Sequence, residues 1–202
     1  SDVCSSDLVN RGQYAPLNSG CVVHISEHGE IEFTIEKSIS HKGSFDSNAQ
    51  IRVTDEAVEL RFNPSRWGKP NNLIGVDWFG AVRTVGQLFA ELGMPYPEPQ
   101  DTTYSRIDLA TNLVLGTNEN AEAYMKALRF HHIPRTKIKD VNGTVYHGQN
   151  AKRVNRKVYN KGREIIAHAK GCPHKKQVGK KLEALGVLRA EVKLGVHFLR
   201  EN

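Results

Sequence analysis

The chain has 202 residues, of which 39% are hydrophobic and 25% are charged, a balance that fits a folded domain and excludes intrinsic disorder. The mean hydropathy is −0.49, and no apolar run approaches the roughly 18 residues of a membrane-spanning helix, so no membrane partner is expected. Cys4, Cys21 and Cys172 are an odd set without CxxC spacing, which argues against a disulfide framework or a four-cysteine zinc site and predicts a reducing, intracellular setting.

Positive charge is concentrated in the second half of the chain. The net charge is +6, but residues 1–100 carry 8 Lys/Arg and 13 Asp/Glu, whereas residues 101–202 carry 20 and 9. Between 126 and 181 there are 16 basic residues and only two acids, Asp140 and Glu164. This gradient predicts a polyanionic partner, most simply nucleic acid. The alternative is a solvated basic surface on an unrelated enzyme.

Both ends of the chain carry signals of truncation. Val3–Leu8 reads like a translated sequencing-library adapter, so residues 1–8 are predicted to be a non-native scar. Residues 9–202 are expected to form a single domain. Because the last strand-like run is followed by no closing element, that domain is expected to be a fragment truncated at both ends.

Strands are predicted in the first third of the chain. Short alternating runs indicate a meander at Cys21–Ile25, Ile31–Ile35, Ile51–Thr54 and Val58–Phe62. Two prolines and a glycine make Asn63–Pro70 an irregular loop. Asp77 is the predicted N-cap of a helix over 78–92. Its inward face is expected to carry Phe79, Val82, Val85, Leu88, Phe89 and Leu92.

In the second half, strands and helices alternate. A strand is predicted over Tyr104–Leu115, followed by a helix over about 119–129 with Tyr124, Met125 and Leu128 inward. Asn142-Gly143 is a hairpin signal. The remaining predicted elements are strands at Thr144–His147, Arg156–Asn160 and Val187–Leu194 and a basic helix at 174–185. This order predicts an α+β fold with an antiparallel or mixed central sheet and helices packed on one face.

Strand alternation predicts one polar face. Side chains two residues apart share a face of a strand. If the three relevant strands belong to one sheet, Asp108, Tyr159, Lys157, Glu191 and Lys193 share a face. Glu164, at the start of the following helix, could lean over its edge.

Carboxylates beside a tyrosine and lysines suit metal-assisted phosphoryl transfer. Carboxylate oxygens are ligands for Mg²⁺ or Mn²⁺, and tyrosine can attack phosphorus to give a covalent intermediate. The alternative is structural: Asp108 and Glu191 pair with Arg106 and Arg189 on a solvated face, and Tyr159 is an edge aromatic.

Five blocks in this order resemble the replication initiators of filamentous phages (the gene II and gene X type), which are similar to the Rep_trans plasmid initiators. The blocks are Asn63–Trp67 with Asn72–Gly75, Ser105–Asp108, Thr144–Gly148, Arg156–Glu164 and Leu188–Glu191. The resemblance implies a Rep-like fold. His131 and His132 are adjacent and His147 stands alone, so the His-hydrophobic-His motif of related nickases is absent.

The resemblance implies a strand-specific, metal-dependent endonuclease that nicks and rejoins the plus-strand origin in rolling-circle replication. Tyr159 is then the nucleophile, with Lys161 as a second catalytic residue. Asp108, Glu191 and Glu164 are the implied ligands of Mg²⁺ or Mn²⁺. The implied partners are origin DNA, both as supercoiled duplex and as single strand, and a host helicase, in the cytoplasm of a bacterial host.

The DNA contacts expected on this interpretation are basic residues and one tryptophan. They are Arg66, Trp67, Lys69, Arg106, Arg153, Arg156, Lys157 and Lys193. Trp67 can either stack on an unpaired base or anchor its loop on the core.

Two other functions remain open at this level. One is a non-catalytic protein of the same fold that binds the origin or inhibits replication. The other is an RNA-binding module, although its sheet face would be expected to carry aromatic stacking residues rather than carboxylates. His168, Cys172 and His174 lack a fourth ligand and are interpreted as incidental.

Overall fold

The computed structural model describes residues 3–6, 20–53 and 57–200. The chain forms two compact units, one up to Ile107 and one from Asp108 onwards. The predicted scar at residues 1–8 and the predicted single domain over 9–202 stay predictions.

Strands in the first unit pair antiparallel. β1 (Val3–Ser6), β4 (Ser38–Lys42), β5 (Asn48–Val53) and β6 (Val58–Phe62) lie in the order β4-β5-β6-β1. A separate hairpin consists of β2 (Cys21–Ile25) and β3 (Ile31–Glu36). The sequence prediction misses β4, because its Ser-Ile-Ser-His-Lys run offers a single large apolar residue.

α1 (Trp78–Glu91) covers the core of this unit. The Asp77 carboxylate caps it by accepting a 2.6 Å hydrogen bond from the Gly80 N–H, as predicted. Leu88 and Phe89 are buried against the strands. The prediction that Phe79 faces inward is wrong, since it is 75% exposed and burial along α1 begins only at Ala81.

Strands in the second unit follow the order β7-β11-β10-β9-β8. Pairing is antiparallel from β8 to β11. The strand bounds are β7 (Arg106–Val114), β8 (Ile138–Val141), β9 (Thr144–His147), β10 (Val154–Asn160) and β11 (Val187–Gly195). Asn142 and Gly143 form the predicted hairpin turn with φ of 51° and 77°.

α2 (Asn118–Phe130) packs on one face of this sheet, where Ala121 and Met125 meet Val145 and Leu188. The prediction that Tyr124 faces inward is wrong, because this side chain is exposed. The other helices are α3 (Lys161–Ala167), α4 (Pro173–Ala184) and α5 (Val196–Leu199), and 3-10 turns lie at Ser44–Asp46 and Pro99–Asp101. The α+β prediction is confirmed. Among the described residues, no helix combines the length and apolarity needed to cross a bilayer.

α3 and α4 approach each other closely through two glycines. A Cβ on Gly162 would lie 2.6 Å from the Gly179 carbonyl oxygen and 2.7 Å from the Glu183 Cα. These positions therefore require glycine, and the packing fixes the start of α3 beside the end of β10.

Candidate active site

The polar face of the second-unit sheet carries two adjacent rows of side chains. In one row, Lys157 of β10 lies opposite Glu191 of β11 and Tyr146 of β9. In the next row, Tyr159 lies opposite Arg189 and Thr144. We use "polar face" for the side of the sheet that carries these residues. It is opposite the face that buries Val145 and Leu188 against α2.

Glu191 is the centre of a hydrogen-bonded cluster on this face. Its Oε1 accepts a 2.7 Å hydrogen bond from the Tyr159 hydroxyl and a 3.0 Å bond from Arg189 Nε. Its Oε2 lies 2.7 Å from Lys157 Nζ. The Glu191 side chain is only 16% exposed. Both carboxylate oxygens are therefore engaged, and the group is held in one orientation.

The electrostatics of the cluster favour an ionised Glu191. Burial alone would raise the pKa of this carboxyl group. Hydrogen bonds from Lys157, Tyr159 and Arg189 and the charge of Lys157 outweigh burial and lower the pKa to about 2. Glu191 is thus a carboxylate at neutral pH and a weak base while these partners remain in place.

Tyr159 is held as a neutral phenol. Burial and, after it, the hydrogen bond to Glu191 raise its pKa well above the ordinary value. Two ammonium groups flank the ring: Lys157 Nζ is 5.4 Å and Lys161 Nζ is 5.8 Å from its centroid. The phenol therefore has a hydrogen-bond acceptor in Glu191 and two positive charges close to its ring.

Lys161 and Glu164 lie at the start of α3, directly after β10. The Asn160 side chain caps the helix by accepting a 3.1 Å hydrogen bond from the Arg163 N–H. Lys161 Nζ lies 2.8 Å from Glu164 Oε2, and the Lys161 side chain is only 4% exposed. The predicted catalytic lysine is therefore buried beside Tyr159 and paired with a predicted metal ligand.

Asp108 shares the polar face through β7, the strand next to β11. Asn112 accepts a 3.3 Å hydrogen bond from Arg189 Nη1, so it faces the cluster. Asp108 lies four residues earlier on the same strand and therefore on the same face. Asp108, Tyr159 and Glu191 therefore lie on one face of the sheet, as strand alternation predicts.

The carboxylates of Asp108 and Glu191 have the chemistry of ligands for a divalent cation. They are hard oxygen donors on neighbouring strands, and Mg²⁺ often takes one or two carboxylates together with phosphate oxygens and water. In the part of the chain that the structure describes, no group of three or more His, Cys, Asp or Glu side chains is arranged to hold a metal ion. Glu164, the third predicted ligand, is engaged with Lys161.

The other predicted DNA-binding residues of the second unit divide between the two faces. Lys193 follows Glu191 by two residues, so it shares the polar face, and it is exposed. Arg153 is exposed just before β10. Arg156 lies opposite His147 in the register and shares the face of Val158, so the structure does not bring it to the Tyr159 cluster. Arg106, at the start of β7, belongs to the first unit.

The Asn63–Pro70 loop of the first unit is anchored by Trp67. Its ring is buried and packs 5.9 Å from Phe62 and 5.8 Å from His41, measured between centroids. This burial agrees with the core-anchor alternative, and the prediction that Trp67 contacts DNA stays a prediction. Arg66 donates to the Phe45 carbonyl at 2.7 Å and to the Lys69 carbonyl, so its guanidinium braces this loop.

Sequence reasoning missed part of the site. Arg189, with a side chain only 3% exposed, links Glu191 to Asn112. Tyr146 lines an open cleft of about 620 Å³ beside Tyr159 and Lys157. Strand alternation predicts that Arg189 lies on this face, but it does not predict that its side chain is buried. The position of Tyr146 depends on the register of β9 against β10, which the sequence does not show.

Comparisons with known proteins identify the family of the chain. The family model Phage_CRI, which describes the N-terminal part of the phage replication-associated protein of the gene II type, matches residues 3–202. The chain therefore belongs to this family, as the sequence resemblance predicted. The chain is also similar to the replication-associated protein of the same type from Enterobacteria phage I2-2, with 25% identity over 173 residues. The match covers 75% of this chain and 49% of that protein, so the chain spans about half the length of this relative.

Proposed function

We propose that this protein nicks and rejoins one strand of a phage replication origin, with Tyr159 as the nucleophile. The proposal extends the replication role in the family's name to this chain. The observation that carries it is the 2.7 Å hydrogen bond from the Tyr159 hydroxyl to Glu191, next to two lysines. The protein would act on supercoiled origin DNA in the bacterial cytoplasm, with a host helicase opening the duplex.

The chemical step is a transesterification. The Tyr159 oxygen attacks the scissile phosphorus, a tyrosine–phosphorus bond forms, and the bond from phosphorus to the 3′ oxygen breaks. Glu191 Oε1 takes the phenolic proton along the existing hydrogen bond and then gives it up, through water, to the leaving 3′ oxygen, which ends as a hydroxyl. The reverse reaction, with a 3′ hydroxyl as the attacking group, rejoins the strand. No external reactant is consumed.

Lys157 couples DNA binding to this proton transfer. It is the strongest of the partners that lower the pKa of Glu191. A phosphate entering the site competes for its ammonium group, and transfer of Lys157 from Glu191 to phosphate would raise the basicity of the carboxylate. Arg189 stays bonded to Oε1 and keeps the carboxylate aimed at Tyr159. Lys161 Nζ, 5.8 Å from the centroid of the Tyr159 ring, adds positive charge close to the phenol.

Asp108 and Glu191 are the residues that would hold Mg²⁺ or Mn²⁺. When bound, such an ion would neutralise charge on the scissile phosphate. Glu164 is a less suitable ligand while Lys161 occupies its Oε2.

The basic residues of the second unit supply the DNA affinity. The 16 Lys/Arg between 126 and 181 include four on α4: Lys175, Lys176, Lys180 and Lys181. Binding through phosphates releases counterions, so affinity is expected to fall steeply as salt is added.

A nicking assay tests the proposal. Supercoiled plasmids carrying a panel of filamentous-phage plus-strand origins are incubated with wild type, Tyr159→Phe and Tyr124→Phe in Mg²⁺. Tyr124 is the matched control because it is exposed on α2. Wild type and Tyr124→Phe are expected to nick, and Tyr159→Phe to bind without nicking. Equal nicking by Tyr159→Phe would contradict the role of Tyr159.

The alternative is a non-catalytic origin-binding or replication-inhibiting protein. The observation that favours it is that both oxygens of Glu191 are already occupied by Tyr159, Arg189 and Lys157, as in a structural ion cluster. This alternative predicts that wild type binds the plasmids in a salt-sensitive manner and nicks none of them.

A further inference from the structure

The cleft beside Tyr159 is larger than the chemistry of one phosphate requires. It has a volume of about 620 Å³ and lies between the β8–β9 turn, the ends of β9 and β10, and α3. Its walls include Tyr146, Asn142 and Thr144, which the proposed reaction does not use. We propose that this cleft receives one unpaired nucleobase of the DNA strand, adjacent to the scissile phosphate. This inference rests on the proposed function.

Tyr146 provides the aromatic surface for that base. It lies opposite Lys157 in the register, and Lys157 is the residue placed to hold a phosphate. In the described part of the chain, the Tyr146 ring stacks on no other ring and its hydroxyl has no hydrogen-bond partner. A half-exposed tyrosine with a free face next to a cation is typical of sites that stack single-stranded bases.

The β8–β9 turn provides polar groups for the edge of the base. Asn142 has a φ of 51°, and its amide is exposed at the mouth of the cleft. Asp140 fixes the turn: its Oδ1 accepts a 3.2 Å hydrogen bond from the Gly143 N–H, and its Oδ2 accepts a 2.5 Å bond from Arg129 of α2. An exposed amide carried on a fixed turn, in the same cleft as an aromatic ring, can hydrogen-bond a base edge.

The order of these groups on the polar face then defines how the DNA strand lies in the site. The phosphate lies at Lys157 between Tyr159 and Tyr146, and the base of the neighbouring nucleotide lies on Tyr146. Because a duplex keeps its bases stacked and paired, the cleft selects single-stranded or unwound DNA.

The experiment measures binding without cleavage, in the Tyr159→Phe background. Two single strands of about 12 nucleotides are compared, one with bases throughout and one with abasic residues throughout, so that both carry the same phosphate charge. The Tyr159→Phe protein is expected to bind the complete strand about tenfold more tightly than the abasic one. Adding Tyr146→Ala is expected to remove this preference, whereas adding Tyr146→Phe should retain it.

Two further variants keep the test decisive. Asn142→Gly removes the amide but preserves the positive-φ turn, and it is expected to reduce the preference even if Tyr146→Ala fails to fold. Tyr124→Ala, on α2, is the control and should leave it unchanged. The inference is overturned if the Tyr159→Phe protein shows no preference, or if Tyr146→Ala and Asn142→Gly keep it. Since no step requires cleavage, failure of the nicking proposal is detected separately in the plasmid assay.

Discussion

The Tyr159 hydroxyl donates a 2.7 Å hydrogen bond to Glu191 Oε1 across the β10–β11 pair. The two residues are 32 positions apart in the chain. The bond raises the pKa of Tyr159 together with burial and helps to lower that of Glu191 against burial. The same contact therefore keeps the phenol neutral at rest and provides the acceptor for its proton.

The acid stability of the protein should depend on Glu191. Its pKa is lowered from 4.5 to about 2 in the folded state, so its stabilisation is present above pH 4.5 and is lost as the pH falls towards 2. Relative to Glu191→Gln, wild type should be more stable at neutral pH by on the order of 3 kcal/mol. Urea denaturation across this pH range measures the difference.

An exposed glutamate, Glu98, is the control for this experiment. Glu98→Gln should change stability by less than about 0.5 kcal/mol at neutral pH. A difference between wild type and Glu191→Gln that stays constant from pH 7 to pH 2 would contradict the assigned ionisation of Glu191.

The stability of the protein at alkaline pH should depend on Tyr159. Its folded pKa is raised above 10.0, so its contribution is complete below pH 10 and decreases as the pH rises through the folded value. Wild type should therefore lose its stability advantage over Tyr159→Phe above pH 10. The remaining tyrosines are common to both proteins, so their ionisation cancels in this comparison. Guanidinium denaturation at pH 9 and pH 11 checks this, and an unchanged difference would argue against a proton held by Glu191.

Close packing of α3 on α4 predicts a strong effect at Gly162. An alanine there places its Cβ against the α4 backbone at Gly179 and Glu183, where no side chain can move away. Gly162→Ala should destabilise the protein by about 1–3 kcal/mol, despite the better helix propensity of alanine. Gly75→Ala is the control, since its Cβ meets nothing within 4 Å. Thermal denaturation of both variants is the measurement, and equal melting temperatures would be incompatible with this packing.

Asp108 should affect nicking without weakening DNA binding. Asp108→Asn removes one negative charge from the polar face, so affinity for DNA should be unchanged or slightly higher while nicking is lost. Plasmid nicking and fluorescence anisotropy measure the two effects, with circular dichroism as the folding control. Loss of binding and folding together would indicate a structural role.

The sequence predicted the polar face because strand alternation has a fixed period of two. That period alone placed Tyr159, Lys157 and Glu191 together once their strands became neighbours. It could not predict what each group would touch. Arg189 is bonded to Asn112 of β7, and Lys161 is buried at the start of α3, where α4 packs closely. Trp67 and Phe79 show the same limit, since an apolar residue in a loop or first helical turn is buried only if a neighbouring element reaches it.

The most direct measurement is the identity of the residue that becomes attached to DNA. Wild-type protein is incubated with Mg²⁺ and an origin strand in which the scissile phosphodiester is intact, denatured, digested with protease and nuclease, and analysed by mass spectrometry. We predict a nucleotide joined through its 5′ phosphate to the Tyr159 peptide, and no adduct for Tyr159→Phe. An adduct on another residue, or nicking that leaves no covalent adduct, would contradict the account.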